Sequence, residues 1–299
     1  MKVFYNFSKS EKFEFDIDVS KENSTVTINK FCNAKKIIIP EFLEGMPVTE
    51  ISSKAFEDCN KVKHLILPKS LTSIGEFSMF EGCGKLTEIT VDENNPVFTT
   101  VDGVLYDKAM TTIILYPRGK KGDYTIPDTI FDVRFTALRY CTKITRINIP
   151  KNLMHIEDVY FVFCERLMDI TVSEHNPYYS SIDGVLFNKE GTSLIAYPPG
   201  KDDTDYIAPN GVHRIRSNGF WRCRFLTKII LPEGLKFIED SAFPNCEKLT
   251  TVTLPSSLLY IGEGAFYGCS NLKTITLSRN TKLGYKALED FSGKLVYRD

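Results

Sequence analysis

The sequence predicts a solenoid, a right-handed stack of short coils that share one core and line up a parallel β-sheet. Three observations indicate it. A cysteine recurs at one position of a repeat, a fixed aliphatic pattern follows it, and a spacing of 23 residues recurs between copies. Full copies begin at Cys59, Cys83, Cys141, Cys164, Cys223, Cys246 and Cys269, and Cys32 begins a degenerate one.

Each coil is predicted to contain one short strand. After the cysteine, aliphatic residues stand at the third, sixth and eighth positions, as in Val62, Leu65 and Leu67. The last two alternate with period 2, which is typical of a strand with one face inward. Pro68 follows and ends the strand, because proline cannot donate to a neighbouring strand. Stacked copies place such strands about 4.8 Å apart in a parallel sheet.

A second phrase precedes the cysteines and is predicted to form a short return segment. In the clearest copy, Leu258 and Ile261 are followed by Ala265 and Phe266, just before Cys269. The small residue allows a close approach of the backbone, and the phenylalanine fills the interior. Because no coil can bury its apolar side alone, stability must come from neighbouring coils.

Two repeats are longer than the rest, and we expect a β-hairpin in each. The steps from Cys83 to Cys141 and from Cys164 to Cys223 hold an extra block of about 35 residues. The two blocks are copies of each other, with Asn95-Pro96 matching Asn176-Pro177, Asp102-Gly103 matching Asp183-Gly184, and Tyr116-Pro117 matching Tyr197-Pro198. Asp-Gly pairs are turn-forming, so Asp102 and Asp183 are interpreted as turn residues and not as calcium ligands.

The first 31 residues differ from the repeat and are predicted to form a β-hairpin cap. Residues 13–18 and 25–28 alternate polar and apolar side chains, and residues 20–24 between them are turn-like. A hairpin there covers the exposed edge of the first coil. We therefore expect a cap of residues 1–31 and a solenoid of residues 32–299 that together form a single domain.

Composition excludes several classes of protein. The 299 residues carry 37 basic and 38 acidic side chains, whereas a dedicated nucleic-acid binder needs a basic excess. No window approaches 18 consecutive apolar residues, so no membrane span is expected. The opening residues 1–6 lack the apolar core of a signal peptide.

These repeats resemble the bacterial leucine-rich-repeat family typified by the BspA surface antigen and the treponemal leucine-rich-repeat protein. The resemblance rests on the 23-residue unit and on the Asp-Gly-Val-Leu blocks with their trailing Tyr-Pro, and it covers residues 32 to about 295. It implies a leucine-rich-repeat solenoid, a cell-surface or secreted location, and adhesion or binding to a host or matrix protein. Without a signal peptide in this chain, a cytoplasmic location stays open.

The reactive side chains favour structural roles, and we predict no catalytic residue, no metal site and no cofactor. A residue that recurs at one position of a repeat has the same structural role in every copy. Each cysteine is therefore interpreted as a small buried group with a weak S–H donor. No Cys-x-x-Cys pair suggests zinc. The four histidines, His64, His155, His175 and His213, show no ligand spacing, and the Gly-Lys pairs at 119–120 and 200–201 lack the rest of a phosphate loop.

The outward face of the predicted sheet is the candidate binding surface. Alternation places a mixed set of polar, charged and aliphatic side chains there. They are His64, Ile66, Glu88, Thr90, Arg146, Asn148, Asp169, Thr171, Lys228, Ile230, Thr251 and Thr253. Any single threonine there is also explained by its preference for strands.

The only tryptophan completes the candidate site. Phe220 is inward by register, whereas Trp221 holds a variable position and is expected to be partly exposed. Tryptophan is a favoured binding anchor, although a surface residue packed on a neighbouring coil is the plainer explanation.

The sequence thus favours a non-catalytic protein-interaction or adhesion module. A carbohydrate-binding module is the alternative, but it needs outward aromatic side chains, which the outward positions above lack. An enzyme of unrecognised type would need a polar cluster assembled from distant coils. The oligomeric state is open.

Overall fold

The structure is a computed structural model that describes residues 1–6, 12–31, 34–57, 59–75, 82–156 and 161–298. They divide into two compact units: unit 1 comprises residues 1–121 and 129–143, and unit 2 comprises residues 122–128 and 144–299. Each unit has its own hydrophobic cluster. All regular elements of the described residues are β-strands, and none of those residues forms a helix that could cross a membrane.

Unit 1 is built from thirteen described strands. They are β1 (Lys2–Asn6), β2 (Lys12–Ser20), β3 (Thr25–Phe31), β4 (Lys36–Ile38), β5 (Phe42–Leu43), β6 (Met46–Ile51), β7 (His64–Leu67), β8 (Ser73–Ile74), β9 (Glu88–Val91), β10 (Phe98–Val101), β11 (Val104–Asp107), β12 (Thr112–Leu115) and β14 (Asp132–Val133). The repeat strands form a parallel sheet in the order β4-β7-β9. The other two sheets have the orders β1-β2-β3-β6-β5, with β8 also paired to β6, and β10-β11-β12-β14.

Unit 2 repeats this plan over more coils. Its described strands are β13 (Gly122–Thr125), β15 (Ile144–Ile149), β16 (Asp169–Val172), β17 (Tyr179–Ile182), β18 (Val185–Asn188), β19 (Ser193–Ala196), β20 (Asp205–Ile207), β21 (Arg214–Ile215), β22 (Lys228–Ile230), β23 (Phe237–Ile238), β24 (Thr251–Thr253), β25 (Tyr260–Ile261), β26 (Thr274–Ser278), β27 (Lys282–Leu283) and β28 (Lys294–Arg298). The repeat strands form parallel sheets β13-β15-β16 and β20-β22-β24-β26-β28, and the third sheet runs β17-β18-β19-β21-β23-β25-β27.

The predicted repeat strands are confirmed, and the return segments are more regular than expected. In β7, Leu65 and Leu67 are buried while His64 is exposed and Ile66 is half-buried. In the coils of Phe220, Phe243 and Phe266, the phrase before the phenylalanine also forms a two-residue strand. These strands pair in parallel from coil to coil, as Ile238 does with Ile261. Each coil of the series β21, β23 and β25 therefore contributes parallel-paired strands to two sheets.

Both predicted hairpins are present, and they interrupt the row of parallel repeat strands. At the tip of the first hairpin, Asp102 and Gly103 have φ of 49° and 74°, as a two-residue turn of the primed type requires. The Ile89 N–H donates to the Gly103 carbonyl over 3.0 Å. In the second hairpin the Ile170 N–H donates to Gly184 over 2.9 Å. Each turn thus occupies the edge of β9 or β16, where the next repeat strand would otherwise pair.

The core repeats in register with the coils. The rings of Phe220, Phe243 and Phe266 stack with centroids 4.7 and 4.9 Å apart. Behind them, the Cys246 thiol donates to the Phe220 carbonyl over 2.9 Å, and the Cys269 thiol donates to Phe243 over 3.1 Å. The seven described cysteines are all buried, as predicted; Cys32 lies outside the described residues.

The N-terminal hairpin is confirmed between β2 and β3, and it extends in two directions. On one side β1 adds an antiparallel strand to β2. On the other, β3 pairs in parallel with β6, with Val26 opposite Val48 and Ile28 opposite Ile51. The cap is therefore joined to the first coil by main-chain pairing. The boundary at residue 31 and the single domain stay predictions.

Candidate interaction surface

In unit 1 the candidate residues form two short rows across the sheet β4-β7-β9. Lys36, His64 and Glu88 are neighbours in register, as are Ile38, Ile66 and Thr90. His64 Nδ1 lies 2.9 Å from a Glu88 carboxylate oxygen, and both side chains are about half exposed. The four sequence-predicted residues of this unit therefore lie side by side, with one ion pair between them when His64 is protonated.

In unit 2 the sheet β13-β15-β16 carries a clamp of charges. Arg146 lies between two carboxylates, with Nε 2.7 Å from Asp169 Oδ2 and Nη1 3.4 Å from Asp123 Oδ2. The Asp123 carboxylate also accepts from the Thr145 hydroxyl over 2.8 Å. A pair as exposed as this contributes little stability. Its effect is to hold the long arginine side chain in one orientation.

A second row of hydrogen bonds runs beside the clamp. Asn148 Nδ2 donates to Thr125 Oγ1 over 2.8 Å, and the Thr171 hydroxyl donates to Asn148 Oδ1. Four predicted residues, Arg146, Asn148, Asp169 and Thr171, thus meet on one sheet, with their partners supplied by β13. The sequence reasoning missed Asp123 and Thr125, because the strand that carries them belongs to an extra block and follows no cysteine.

The remaining strand residues lie on the sheet β20-β22-β24-β26-β28. Lys228 is opposite Asp205 and Thr251, and Ile230 is opposite Ile207 and Thr253. Ile207 is 69% exposed, so this face mixes an apolar residue with threonines and a lysine.

The expected exposure of Trp221 is wrong. Its side chain is only 7% exposed, and its ring meets that of Phe163 edge-on with centroids 4.5 Å apart. It also lines a small cleft with Pro199 of the long repeat. Tyr267, at the same position of a later coil, is 47% exposed. Phe163 and the second long repeat's Pro199 thus lie beside the buried Trp221. Its role as an interaction anchor stays a prediction, which this burial disfavours.

The chemistry of the described residues matches structural roles. Hydrogen bonding to Cys59 and then burial raise the pKa of the Cys83 thiol, while burial is the main reason that the pKa of Cys246 is raised. Burial and a 2.9 Å hydrogen bond to Asp203 raise the pKa of Tyr197. Such groups stay protonated near neutral pH. Within the described ranges, no group of three or more potential ligands is placed to hold a metal ion.

Two surface features were missed from the sequence. One is an aromatic pair on the outer side of the return strands, where Phe237 is opposite Tyr260 and the Arg214 guanidinium lies 4.8 Å from the Phe237 ring. The other is an open groove of about 310 Å³ on the rim of unit 2. It is lined by Glu165, Arg222, Arg224, Phe225, Asn245, Glu247 and Lys248.

Comparison with solved structures finds the same fold in bacterial leucine-rich-repeat proteins. A leucine-rich cell surface protein of Faecalibacterium prausnitzii is 20% identical, with a TM-score of 0.55 over 99% of this chain and 95% of that one. The pneumococcal vaccine antigen PcpA is 19% identical, with a TM-score of 0.53 over 100% and 88% of the two chains. A leucine-rich repeat protein of Eubacterium ventriosum is 18% identical, with a TM-score of 0.52 over 95% and 85%.

No curated protein sequence matches the chain. The family described as the BspA type leucine rich repeat region matches in six copies, over residues 1–117, 120–196 and 202–296. These ranges include the N-terminal hairpin, both long repeats and the short coils up to β28. The chain therefore belongs to the BspA-type leucine-rich-repeat family.

Proposed function

We propose that this chain is a non-catalytic protein-interaction module that binds a partner through the outer faces of its repeat sheets. The observation that carries the proposal is the pair of interlocked rows on β13-β15-β16. Arg146 is held between Asp123 and Asp169, and Asn148 is held between Thr125 and Thr171. Polar side chains that are already ordered lose less entropy when a partner binds.

The shape of the surface supports a macromolecular partner. The predicted residues lie on open sheet faces, whereas small-molecule sites are concave and largely apolar. A solenoid presents side chains from successive coils next to one another, so one partner can contact many of them. A host or matrix protein is the partner that a cell-surface location would favour, and that location is itself part of the proposal.

The test is capture of partners from host matrix and bacterial surface fractions on the immobilised chain, followed by titration of the purified partner. We expect Arg146→Ala with Asn148→Ala to weaken binding at least tenfold, about 1.4 kcal/mol. Lys282→Ala, exposed on the outer side of the return strands, is the matched control. If only the control weakens binding, the partner uses the other side of the coils.

A second candidate function rests on the aromatic pair Phe237 and Tyr260. Aromatic faces with polar neighbours suit carbohydrate rings, and Tyr260 is 37% exposed. Binding of neutral oligosaccharides on a glycan array would support this function if Tyr260→Ala abolished it and Tyr267→Ala did not. If no oligosaccharide on the array binds above background, the carbohydrate-binding function is excluded.

A further inference from the structure

A continuous run of lysines follows one rim of unit 1, beside the start of the repeat strands. These residues stand two positions after a repeat cysteine, immediately before an outward strand residue, or at the end of the first long repeat. The lysine rim comprises Lys35, Lys61, Lys63, Lys85, Lys120, Lys121 and Lys143. Lys120 and Lys143 are half-buried, and the other five are exposed.

Main-chain contacts show that these lysines lie on adjacent coils. The Lys63 N–H donates to the Lys35 carbonyl over 2.7 Å, and the Thr87 N–H donates to Lys63 over 2.9 Å. The Gly119 N–H donates to Leu86 over 2.6 Å, which places Lys120 next to the coil of Lys85. Lys143 Nζ reaches back to the Gly84 carbonyl at 3.4 Å. The positive charges therefore form one row across five successive segments.

The segments that carry the row contain few acidic residues. Segments 34–36, 59–63, 83–87, 119–123 and 141–145 contain eight lysines, counting Lys36, and one acidic residue, Asp123. On the adjoining sheet, the Glu88 carboxylate faces His64 at 2.9 Å. Lys120 Nζ donates to the Asp102 main-chain carbonyl over 2.7 Å. Because the chain as a whole is balanced, this local excess is specific to the rim.

The equivalent rim of unit 2 carries nearly equal numbers of basic and acidic residues. Segments 164–168, 200–204, 223–227, 246–250 and 269–273 contain five basic and four acidic residues. Glu165 lies 3.2 Å from Arg222 and 3.7 Å from Arg224, and Lys201 lies 3.3 Å from Asp203. The repeat fold therefore does not require lysines at these positions, so the fold alone does not explain their accumulation in unit 1.

We propose that the lysine rim of unit 1 docks an acidic segment of a partner protein, an inference that rests on the proposed function. Two observations favour a polypeptide over other polyanions. The rim lies at the start of the strands that carry the half-buried Ile38 and Ile66, two positions beyond Lys36 and His64, and an acidic segment with apolar residues could also cover these isoleucines. The segments that carry the rim contain no aromatic side chain for stacking bases of a single-stranded nucleic acid, and a sulfated polysaccharide offers no apolar complement to the isoleucines.

The probe is a fluorescent synthetic peptide of alternating glutamate and leucine, titrated with the full chain by anisotropy. Lys35→Glu, Lys63→Glu and Lys85→Glu together should weaken binding at least tenfold. The matched control reverses Arg166, Lys248 and Lys273 of unit 2 to glutamate and should change affinity less than threefold. Raising salt to about 0.5 M should also weaken binding, since exposed charges are screened beyond a few ångströms.

Heparin and single-stranded DNA are titrated in parallel. The inference falls if either binds more tightly than the peptide in a manner that depends on the rim, or if both triple variants lose the peptide equally. Lys→Gln variants and thermal unfolding separate lost charge from lost folding. The captured partner separates this inference from the proposed function: if that partner binds both triple variants as well as the parent, the interaction module stands and the acidic docking site does not.

Discussion

The first long repeat (residues 92–121) and the second (residues 173–202) share their hairpin in detail and differ where the hairpin meets the next coil. Val101 pairs with Val104 in the first tip, and Ile182 pairs with Val185 in the second. Both copies shift register at the same point of the second hairpin strand. Past the hairpins, a buried Arg118 in the first copy stands where Pro199 stands in the second.

The residues packed near Arg118 and near Pro199 also differ between the two copies. In unit 1, Arg118 places its guanidinium 4.9 Å from the centre of the Tyr140 ring. In unit 2, the shorter Pro199 leaves a cleft, and Trp221, which occupies the repeat position of Arg139, lines it. The two copies thus make this contact with different side chains. The hairpin is fixed by hydrogen bonds, whereas this contact needs only complementary volumes, so it is free to differ.

The largest expected effect tests this account of Trp221. Trp221→Ala should lower the free energy of unfolding by about 3–5 kcal/mol, as expected for a buried aromatic ring. Arg139→Ala, at the same repeat position in unit 1, should cost about 1 kcal/mol or less. Equilibrium urea unfolding followed by circular dichroism measures both. Equal losses would mean that Trp221 fills no cleft particular to the second copy.

A buried asparagine that both long repeats share should contribute equally to stability in each. Asn95 is fully buried; its Nδ2 donates to the Pro68 and Leu71 carbonyls, each over 2.8 Å, and its Oδ1 accepts from Val97 and Phe98. Asn176 makes the same four bonds in the second copy. Because Asn→Ala leaves buried main-chain groups unsatisfied, we expect each variant to lose about 3 kcal/mol.

The control for this pair is Asn94→Ala, which removes an exposed side chain and should change stability by less than about 0.5 kcal/mol. A markedly smaller loss for one asparagine than for the other would show that the two long repeats are not energetically equivalent. Unfolding should be measured by two probes, because solenoids can lose coils locally before they unfold globally.

Two glycines offer a finer test of equivalence. A Cβ on Gly119 would lie 2.5 Å from the Lys85 carbonyl carbon, and a Cβ on Gly200 would lie 2.6 Å from that of Arg166. Main chain cannot move aside as a flexible side chain can, so Gly119→Ala and Gly200→Ala should each cost about 1–3 kcal/mol. Gly84→Ala, where a Cβ meets nothing within 4 Å, is the control. A shift in thermal midpoint for the control alone would contradict the predicted close packing.

The sequence allowed prediction of features that recur with the repeat. Alternation predicts that Leu65 and Leu67 point inward. Residues at the same repeat position in successive copies, such as His64 and Glu88, are predicted to be neighbours on the outward face. Features that depend on partners from distant segments were not predictable. Asn95 looks like an ordinary turn residue until Pro68 and Leu71 are seen to surround its amide. Trp221 looks exposed until Phe163 and Pro199 cover it.

The smallest effect concerns the repeat thiols. The pKa of Cys83 is raised by its hydrogen bond with the Cys59 thiol and by burial, and that of Cys246 mainly by burial. A thiol in the unfolded chain loses its proton near pH 8.5, whereas these thiols keep theirs in the folded state. The folded protein then binds more protons than the unfolded one, so stability must fall as the pH rises above about 8.5.

Each such thiol should remove about 1 kcal/mol of stability between pH 7 and about pH 9. Cys83→Ala in unit 1 and Cys246→Ala in unit 2 should each reduce the fall in the free energy of unfolding over this pH range by that amount. Loss of the buried sulfur also lowers stability, but by the same amount at every pH. Urea unfolding at a series of pH values isolates the slope from that constant. If the slopes of both variants match the parent, other groups cause the decline; if only one flattens, the cysteine position is not equivalent in the two units.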